Sequence, residues 1–356
     1  MRYLGLAAWL GLGGCTASNA GFEPAVGSGS SSSASGIDGS TMALGTGTTG
    51  TTAASGASDD GAADGPTADG SETSGGSGGE PTGVGETDGP PTWVFTEGER
   101  VAALSVDGFD DDDPSLRVDM LEVLFASTRD GDEDIYVSTR PSLDAEWDVP
   151  VALPSPLINR AGRDSSPELL PDGLTMTLSS DRAGSYGDLD IWVTTRDSWQ
   201  SEWAEPEHLA ELNGPGVDGS AALSDDLTEV FFCSIRDDVG NEDLFWSGRR
   251  SPAMSFDPPL RLGMEINSDT LDCNPWWDAQ AQRLLFATSD GLINDSDLVV
   301  AEREGGVFGP VVRIEGVNTS SRELDPWLSP DGSELYFARL IPNPTSDIYR
   351  AVRVER

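Results

Sequence analysis

The chain has 356 residues and a formal net charge of −41; it contains no lysine, and its cations are arginines and the single His208. Such an excess of carboxylates leaves nucleic acid and anionic membrane faces out as electrostatic partners. Nearly all tryptophan, tyrosine and phenylalanine lies after residue 92, so the folded mass is expected over 93–356, enough for one domain with a substantial core.

Residues 1–15 read as an address. Met1-Arg2 is a short positive start, and Tyr3 to Leu12 is an apolar run too short to span a bilayer. It ends in Leu12-Gly13-Gly14-Cys15, which resembles the lipobox of bacterial lipoprotein signal peptides. The resemblance implies removal of residues 1–14, acylation of Cys15 and anchoring in the cell envelope by lipid alone. Thr16 follows the cysteine where an Asp would signal retention at the inner membrane, so the outer membrane is expected, with either face possible. An ordinary secretory signal with an incidental cysteine is the alternative. Residues 16–92 are dominated by Gly, Ser, Thr, Ala and Asp, cannot offset their ordering entropy by burial, and are expected to be a disordered tether. A coil of this length spans about 45–50 Å.

From residue 93 onward one unit recurs. A proline recurs at Pro114, Pro167, Pro275 and Pro326, with Ala221 in the same slot, at spacings of 53, 54, 54 and 51. Eleven residues later stand Phe125, Leu178, Phe232, Phe286 and Phe337. An Asp then precedes an apolar pair, as in Asp134-Ile135-Tyr136 and Asp347-Ile348-Tyr349. An aromatic just before a proline follows (Trp147, Trp203, Phe256, Phe308), and then an apolar-Asn pair at Asn159, Asn213, Asn267 and Asn318. Each unit reads as four short strands: one opening at the proline, one ending near the Phe, one starting at the Asp, and one carrying the aromatic-Pro element. Repeated four-stranded units of this length predict an all-β fold, a five-bladed β-propeller. The last unit lacks a fourth strand, and Val94 to Leu104 looks like an orphan one. The prediction is that this N-terminal segment pairs beside Ile348–Val354, completes the last blade and removes the open edges, giving a monomer.

Ser329-Pro330-Asp331-Gly332 with Leu335-Tyr336-Phe337-Ala338, and Ser180-Asp181-Arg182 with Asp190-Ile191-Trp192, resemble the TolB-type, WD-like propeller repeats of bacterial envelope proteins. The resemblance covers most of 94–356, and implies a propeller without implying one function. TolB has six blades and a separate N-terminal domain, whereas this chain has five repeats and a tether.

Candidate binding residues follow from the repeat. Three positions before each proline slot the residue is acidic in all five copies: Asp111, Asp164, Asp218, Asp272 and Glu323. One position before come Asp113, Ser166, Ser220, Asn274 and Asp325. An oxygen ring at a channel mouth could hold Ca²⁺ or a cationic group. The alternative is that each Asp bonds the backbone of its own turn. Asp110-Asp111-Asp112-Asp113 exceeds what the repeat requires. Asp130-Gly131-Asp132-Glu133-Asp134 has half of a calcium-loop pattern and reads as a turn. His208 is expected on an exposed outer strand. Cys233 and Cys273 fall near one another on neighbouring units, as a disulfide in an oxidising compartment or as buried thiols. Trp276, Trp277 and Trp327 are expected in the core, with sugar stacking open to any that reaches the mouth.

With one His and no phosphate loop, the leading expectation is a non-enzymatic module binding a protein or glycan of the envelope, with no catalytic residue and no cofactor besides possible Ca²⁺. The alternative is a carbohydrate-active enzyme using carboxylates drawn from Asp111, Asp113, Asp164, Asp272 and Asp325.

Overall fold

The computed structural model describes residues 93–236, 241–289, 295–340 and 345–354. Cys15 and the 16–92 segment lie outside the described residues. Strand β1 (Glu99–Arg100) comes first. Blade one is β2 (Asp111–Leu116), β3 (Glu122–Ser127), β4 (Asp134–Thr139) and β5 (Val151–Ala152). Blade two is β6 (Asp164–Leu169), β7 (Thr175–Ser180), β8 (Asp190–Thr195) and β9 (Glu207–His208). Blade three is β10 (Asp218–Leu223), β11 (Glu229–Ser234), β12 (Asp243–Gly248) and β13 (Leu260–Arg261). Blade four is β14 (Asp272–Asp278), β15 (Arg283–Thr288) and β16 (Asp297–Glu304), whose outer edge carries two short strands, β17 (Val307–Phe308) and β18 (Val312–Arg313). Blade five is β19 (Arg322–Leu328), β20 (Glu334–Leu340) and β21 (Ser346–Val352), completed by β1 in the order β1-β21-β20-β19. The architecture is a five-bladed propeller, and no described residue is helical.

The closure predicted from the sequence is present. Glu99 pairs with Arg350 and Arg100 with Tyr349, antiparallel, and Phe95 bridges Arg353. The paired segment is shorter than the expected Val94–Leu104. The remaining residues supply anchors that the other blades also use. In blades one to four an Asn amide accepts from and donates to the backbone of a strand opener: Asn159 with Ile135 (3.0 and 2.9 Å), Asn213 with Ile191 (2.8 and 2.9 Å), Asn267 with Leu244 (2.8 and 3.0 Å) and Asn318 with Leu298 (2.7 and 2.9 Å). At the closing blade Ser105 Oγ accepts from Ile348 N at 2.9 Å. An arginine also lies over each blade's aromatic: Arg140 on Trp147, Arg196 on Trp203, Arg249 on Phe256, Arg303 on Phe308, and Arg353 on Trp93. Trp93 and Leu104-Ser105 are therefore the fifth copy of markers found at Trp147 and Ile158-Asn159.

Two strand boundaries differ from expectation. The inner strands begin at the acidic residue three positions before the proline slot, or one residue earlier in β19, so the slot sits inside the strand. The ladder shifts register there in every blade, for instance between Asp112 and Ser115 and between Leu324 and Trp327. A bulge tolerates proline because no ladder N–H is required of it. The outer strands of blades one and two start just after the proline of the aromatic-Pro element, not on it, for the same reason: Pro150 and Pro206 cannot donate to the ladder.

Five hydrophobic clusters hold the ring, one at each junction between neighbouring blades. The junction of blades five and one, for example, packs Leu116 and Phe125 with Trp327, Tyr336 and Ile348. Between blades three and four a disulfide joins Cys233 to Cys273, with Cα atoms 5.2 Å apart.

Four of the five turns between first and second strands keep one shape even where Ser-Pro-Asp-Gly is lost; in blade four the left-handed residue comes one position later, and Ala281 N donates to Asp278 Oδ1 at 2.8 Å. Gly173 (φ 64°) and Gly332 (φ 69°) use the left-handed region, and so do Met120 (57°), Leu227 (61°) and Gln282 (53°). In blades one, two, three and five the backbone hydrogen bond across the turn is retained, as in Met120 N to Arg117 O at 2.7 Å. The backbone thus bears a left-handed non-glycine at three turns.

Candidate functional site

The five acidic residues that repeat are fully buried, and each is turned into its own blade. One carboxyl oxygen accepts a backbone N–H from the preceding loop: Val106 N to Asp111 (2.7 Å), Arg160 N to Asp164 (2.7 Å), Gly214 N to Asp218 (2.6 Å), Ser268 N to Asp272 (2.5 Å) and Thr319 N to Glu323 (3.0 Å). In four blades the other oxygen meets an arginine at the end of the second strand. These pairs are Arg129–Asp111, Arg182–Asp164 (2.6 Å), Arg236–Asp218 (2.5 Å) and Arg339–Glu323 (2.8 Å). Blade five reaches the same pair with a longer acid and an arginine two positions earlier in the repeat. Burial still holds the Asp111, Asp272 and Glu323 carboxyls above their ordinary range, against the pull of these hydrogen bonds. This ring is a structural device tying each loop to its blade.

The residues one position before the proline slot do face the channel. Asp113, Ser166, Ser220, Asn274 and Asp325 all sit in the bulges at φ between 48° and 53°, and with their prolines they surround a cavity of about 30 Å³. Asp113 accepts from Ser166 N (3.1 Å) and Ser166 Oγ (3.2 Å), and Asp325 accepts from Asp113 N (3.4 Å).

Around Asp113 the fivefold pattern breaks. Asp112, Asp113 and Glu133 bring carboxyl oxygens within 4.8 Å of one another. Asp325 arrives from blade five and shares a side-chain hydrogen bond with Asp113. Asp112 accepts from Ser346 Oγ at 2.8 Å, while its Oδ1 is buried without a partner, as is Oδ1 of Asp325. Burial first, and then neighbouring carboxylates, raise Asp112 and Asp113 well above the usual range and Asp325 to about 8. Glu133 is raised to about 7 by burial, with Arg163 pulling the other way. Sequence reasoning singled out the Asp110–Asp113 excess but read Glu133 as part of a turn. Its signal was present: the slot before the third-strand Asp holds Glu133, Leu189, Glu242, Ser296 and Ser346. An acid there is no requirement of the repeat.

The other end of the channel is of a different character. A cavity of about 170 Å³ lies among the turns between first and second strands, walled by Trp276, Trp277, Trp327, Pro171 and Pro330. Asp225, Asp278, Gln280 and Glu168 also border it, and no basic side chain does. Trp277 and Trp327 are buried, whereas Trp276 is half-buried. Glu168 borders both cavities, and burial raises its carboxyl to about 8, against a hydrogen bond from Ser115.

His208 is not exposed as expected. It stands against Trp192 and the edge of Tyr186, with Nε2 2.6 Å from buried Asp190. Of the two residues of β9, Glu207 is exposed, while His208 pairs opposite Trp192 and packs inward on β8.

No family model and no curated protein matches this chain. Among solved structures, the catalytic domain of a glycoside hydrolase family 62 α-L-arabinofuranosidase from Coprinopsis cinerea is similar at a TM-score of 0.51 and 12% identity, over 74% of this chain and 98% of that one. An endo-arabinase from Bacteroides thetaiotaomicron gives 0.50 and 15%, over 74% and 98%. TolB from Acinetobacter baumannii gives 0.41 and 15%, over 68% of this chain and 54% of that one, so the chain spans about half the length of that protein. At such identities the likeness to the two enzymes is one of fold: this chain is built on the five-bladed propeller.

Proposed function

We propose that this chain is a non-catalytic binding module, held at the bacterial cell envelope through an acylated Cys15, that takes a glycan at the tryptophan-walled mouth. The observation that carries the reading is the cavity of about 170 Å³ where Trp276 meets Glu168, Asp225, Asp278 and Gln280. A sugar presents C–H faces and hydroxyls together. A concave site with an aromatic wall and a few convergent polar groups complements both. The cavity is smaller than the roughly 300–1,000 Å³ of drug-sized sites, which suits one unit of a longer saccharide. With carboxylates and no cation on its wall, it suits a neutral sugar over an anionic one.

The enzymatic alternative needs two carboxyls roughly 5–10 Å apart with a sugar between them. Asp111, Asp164 and Asp272 are committed to their own loops, and the cavity beside Asp113 and Asp325 is about 30 Å³, room for water and not for a sugar ring.

The test is a neutral-oligosaccharide array followed by titration calorimetry on the full chain and on Trp276→Ala. Selective binding that weakens roughly tenfold or more on removing the indole is expected. Absence of saccharide binding, or an unaffected Trp276→Ala, would sink the reading. Release of reducing sugar would replace it with the enzymatic one.

A further inference from the structure

We propose that Asp112, Asp113, Glu133 and Asp325 form a site for a single calcium ion that ties blade one to blade five. Three of the four offer carboxyl oxygens within 4.8 Å of one another, the spacing of ligands around one ion. Asp325, 212 residues further on, joins them through Asp113. An acidic cluster alone would not require a ligand. Two further observations do: Oδ1 of Asp112, on a residue 3% exposed, and Oδ1 of Asp325, on a residue 7% exposed, are buried without any hydrogen-bond partner. An unsatisfied buried carboxyl oxygen is costly, and two in one cluster mark a place where something positive belongs.

The local charge leads to the same conclusion. Arg163 beside Glu133 and Arg322 on the strand of Asp325 compensate part of the cluster, while Asp110, Asp164 and Asp181 add to its negative field. The equally buried acids of the repeating ring each meet backbone N–H groups and, in four blades, an arginine. The donor set is oxygen only. Among the described residues Cys233 and Cys273 are joined to each other and His208 is engaged by Asp190, so none of them offers a soft ligand. Several direct carboxylates in an irregular, largely buried site suit Ca²⁺, which takes 6–8 oxygens in flexible geometry. Mg²⁺ demands a near-ideal octahedron and keeps its waters. Ser166 Oγ and Ser346 Oγ, already bonded to Asp113 and Asp112, complete a hydroxyl fringe.

The position gives the ion a task. Asp112, Asp113 and Glu133 belong to the first blade, and Asp325 to the last. A shared ion adds a charged link across the junction where sequence-distant parts of the ring meet.

The experiment uses the full chain, stripped with EDTA and then titrated with CaCl₂ or MgCl₂. Melting temperature and hydrogen exchange at β2 and β19 are followed. The expected result is a saturable rise of roughly 5–10 °C at a hundredfold excess of free calcium over its dissociation constant. Magnesium gives a markedly smaller rise, and protection increases at both strands. Asp112→Asn and Glu133→Gln should each abolish the calcium-dependent rise without lowering the metal-free melting temperature. Their unchanged metal-free stability separates loss of the site from loss of the fold. A wild-type protein indifferent to calcium up to millimolar levels overturns the proposal. So does an equal response to magnesium, or a rise that persists in both variants and so belongs to the acidic surface at large.

Discussion

Two sets of carboxylates share the same five inner strands and behave oppositely. Asp111, Asp164, Asp218, Asp272 and Glu323 repeat in every blade, and each accepts a backbone N–H locally, Asp272 alone among them keeping one buried oxygen without a partner. Asp112, Asp113, Glu133 and Asp325 gather only where blade one meets blade five, and Asp112 and Asp325 each keep a buried oxygen without a partner. The difference teaches that recurrence marks what the fold needs. A side chain required five times is answering a problem posed five times. One that occurs once, buried and uncompensated, answers something outside the repeat.

Removing a ring member should produce the largest effect. Asp164 and Arg182 are 1% and 6% exposed, so Asp164→Ala strands a buried guanidinium. Breaking such a pair costs about 3–5 kcal/mol, read as a lowered denaturant midpoint. A change under about 1 kcal/mol would mean that the ring is decorative, and the contrast with the irregular cluster would collapse.

Blade four is the weak member of the ring, since Asp272 is held by Ser268 where the other acids also have an arginine. The neighbouring Cys273 instead crosslinks to Cys233 over a separation of 40 residues. Replacing both cysteines by serine should cost about 2–4 kcal/mol through the freed loop. Equal melting curves with and without reductant would show that the ring needs no such help there.

Glu242 gives the finest comparison, because it fills in blade three the slot that Glu133 fills in blade one. Burial raises its carboxyl from 4.5 to about 8, with Arg322 pulling it down. A raised acid binds its proton more tightly in the folded state. Its contribution is therefore fully present below the unfolded value and is lost as pH rises through about 8. Melting temperature should fall across that window, and fall less steeply in Glu242→Gln. Parallel pH profiles would show that the slot is not a buried acid.

Much of the architecture was legible because a repeat states its own rules several times. The proline slot, the large apolar residue eleven positions on and the Asp before the third strand located the strands, and the missing fourth strand pointed to closure by the N-terminal segment. The boundaries slipped by a few residues where proline occupies a bulge instead of opening a strand, since spacing alone does not say whether an N–H is needed. The arginine–aromatic pairs went unread, although Arg140, Arg196 and Arg249 each stand seven residues before their aromatic. The ring acids could be read from the sequence either as channel-mouth ligands or as turn chemistry, and the repeat alone did not choose between the two.

The sequence by itself determined the blade, its number of copies and how the ring closes, because these depend on short-range patterns repeated along the chain. Only the tertiary structure decided which acids are compensated. Glu133 meets Asp113 across a hairpin, and Asp325 meets it only after the ring has closed over 212 residues. The same holds for the tryptophan-walled mouth, where Trp276 and Glu168 line one cavity from blades four and two. Burial and like-charge contact are set by what lies beside a residue in space, and in a propeller the neighbour in space is a blade away in sequence.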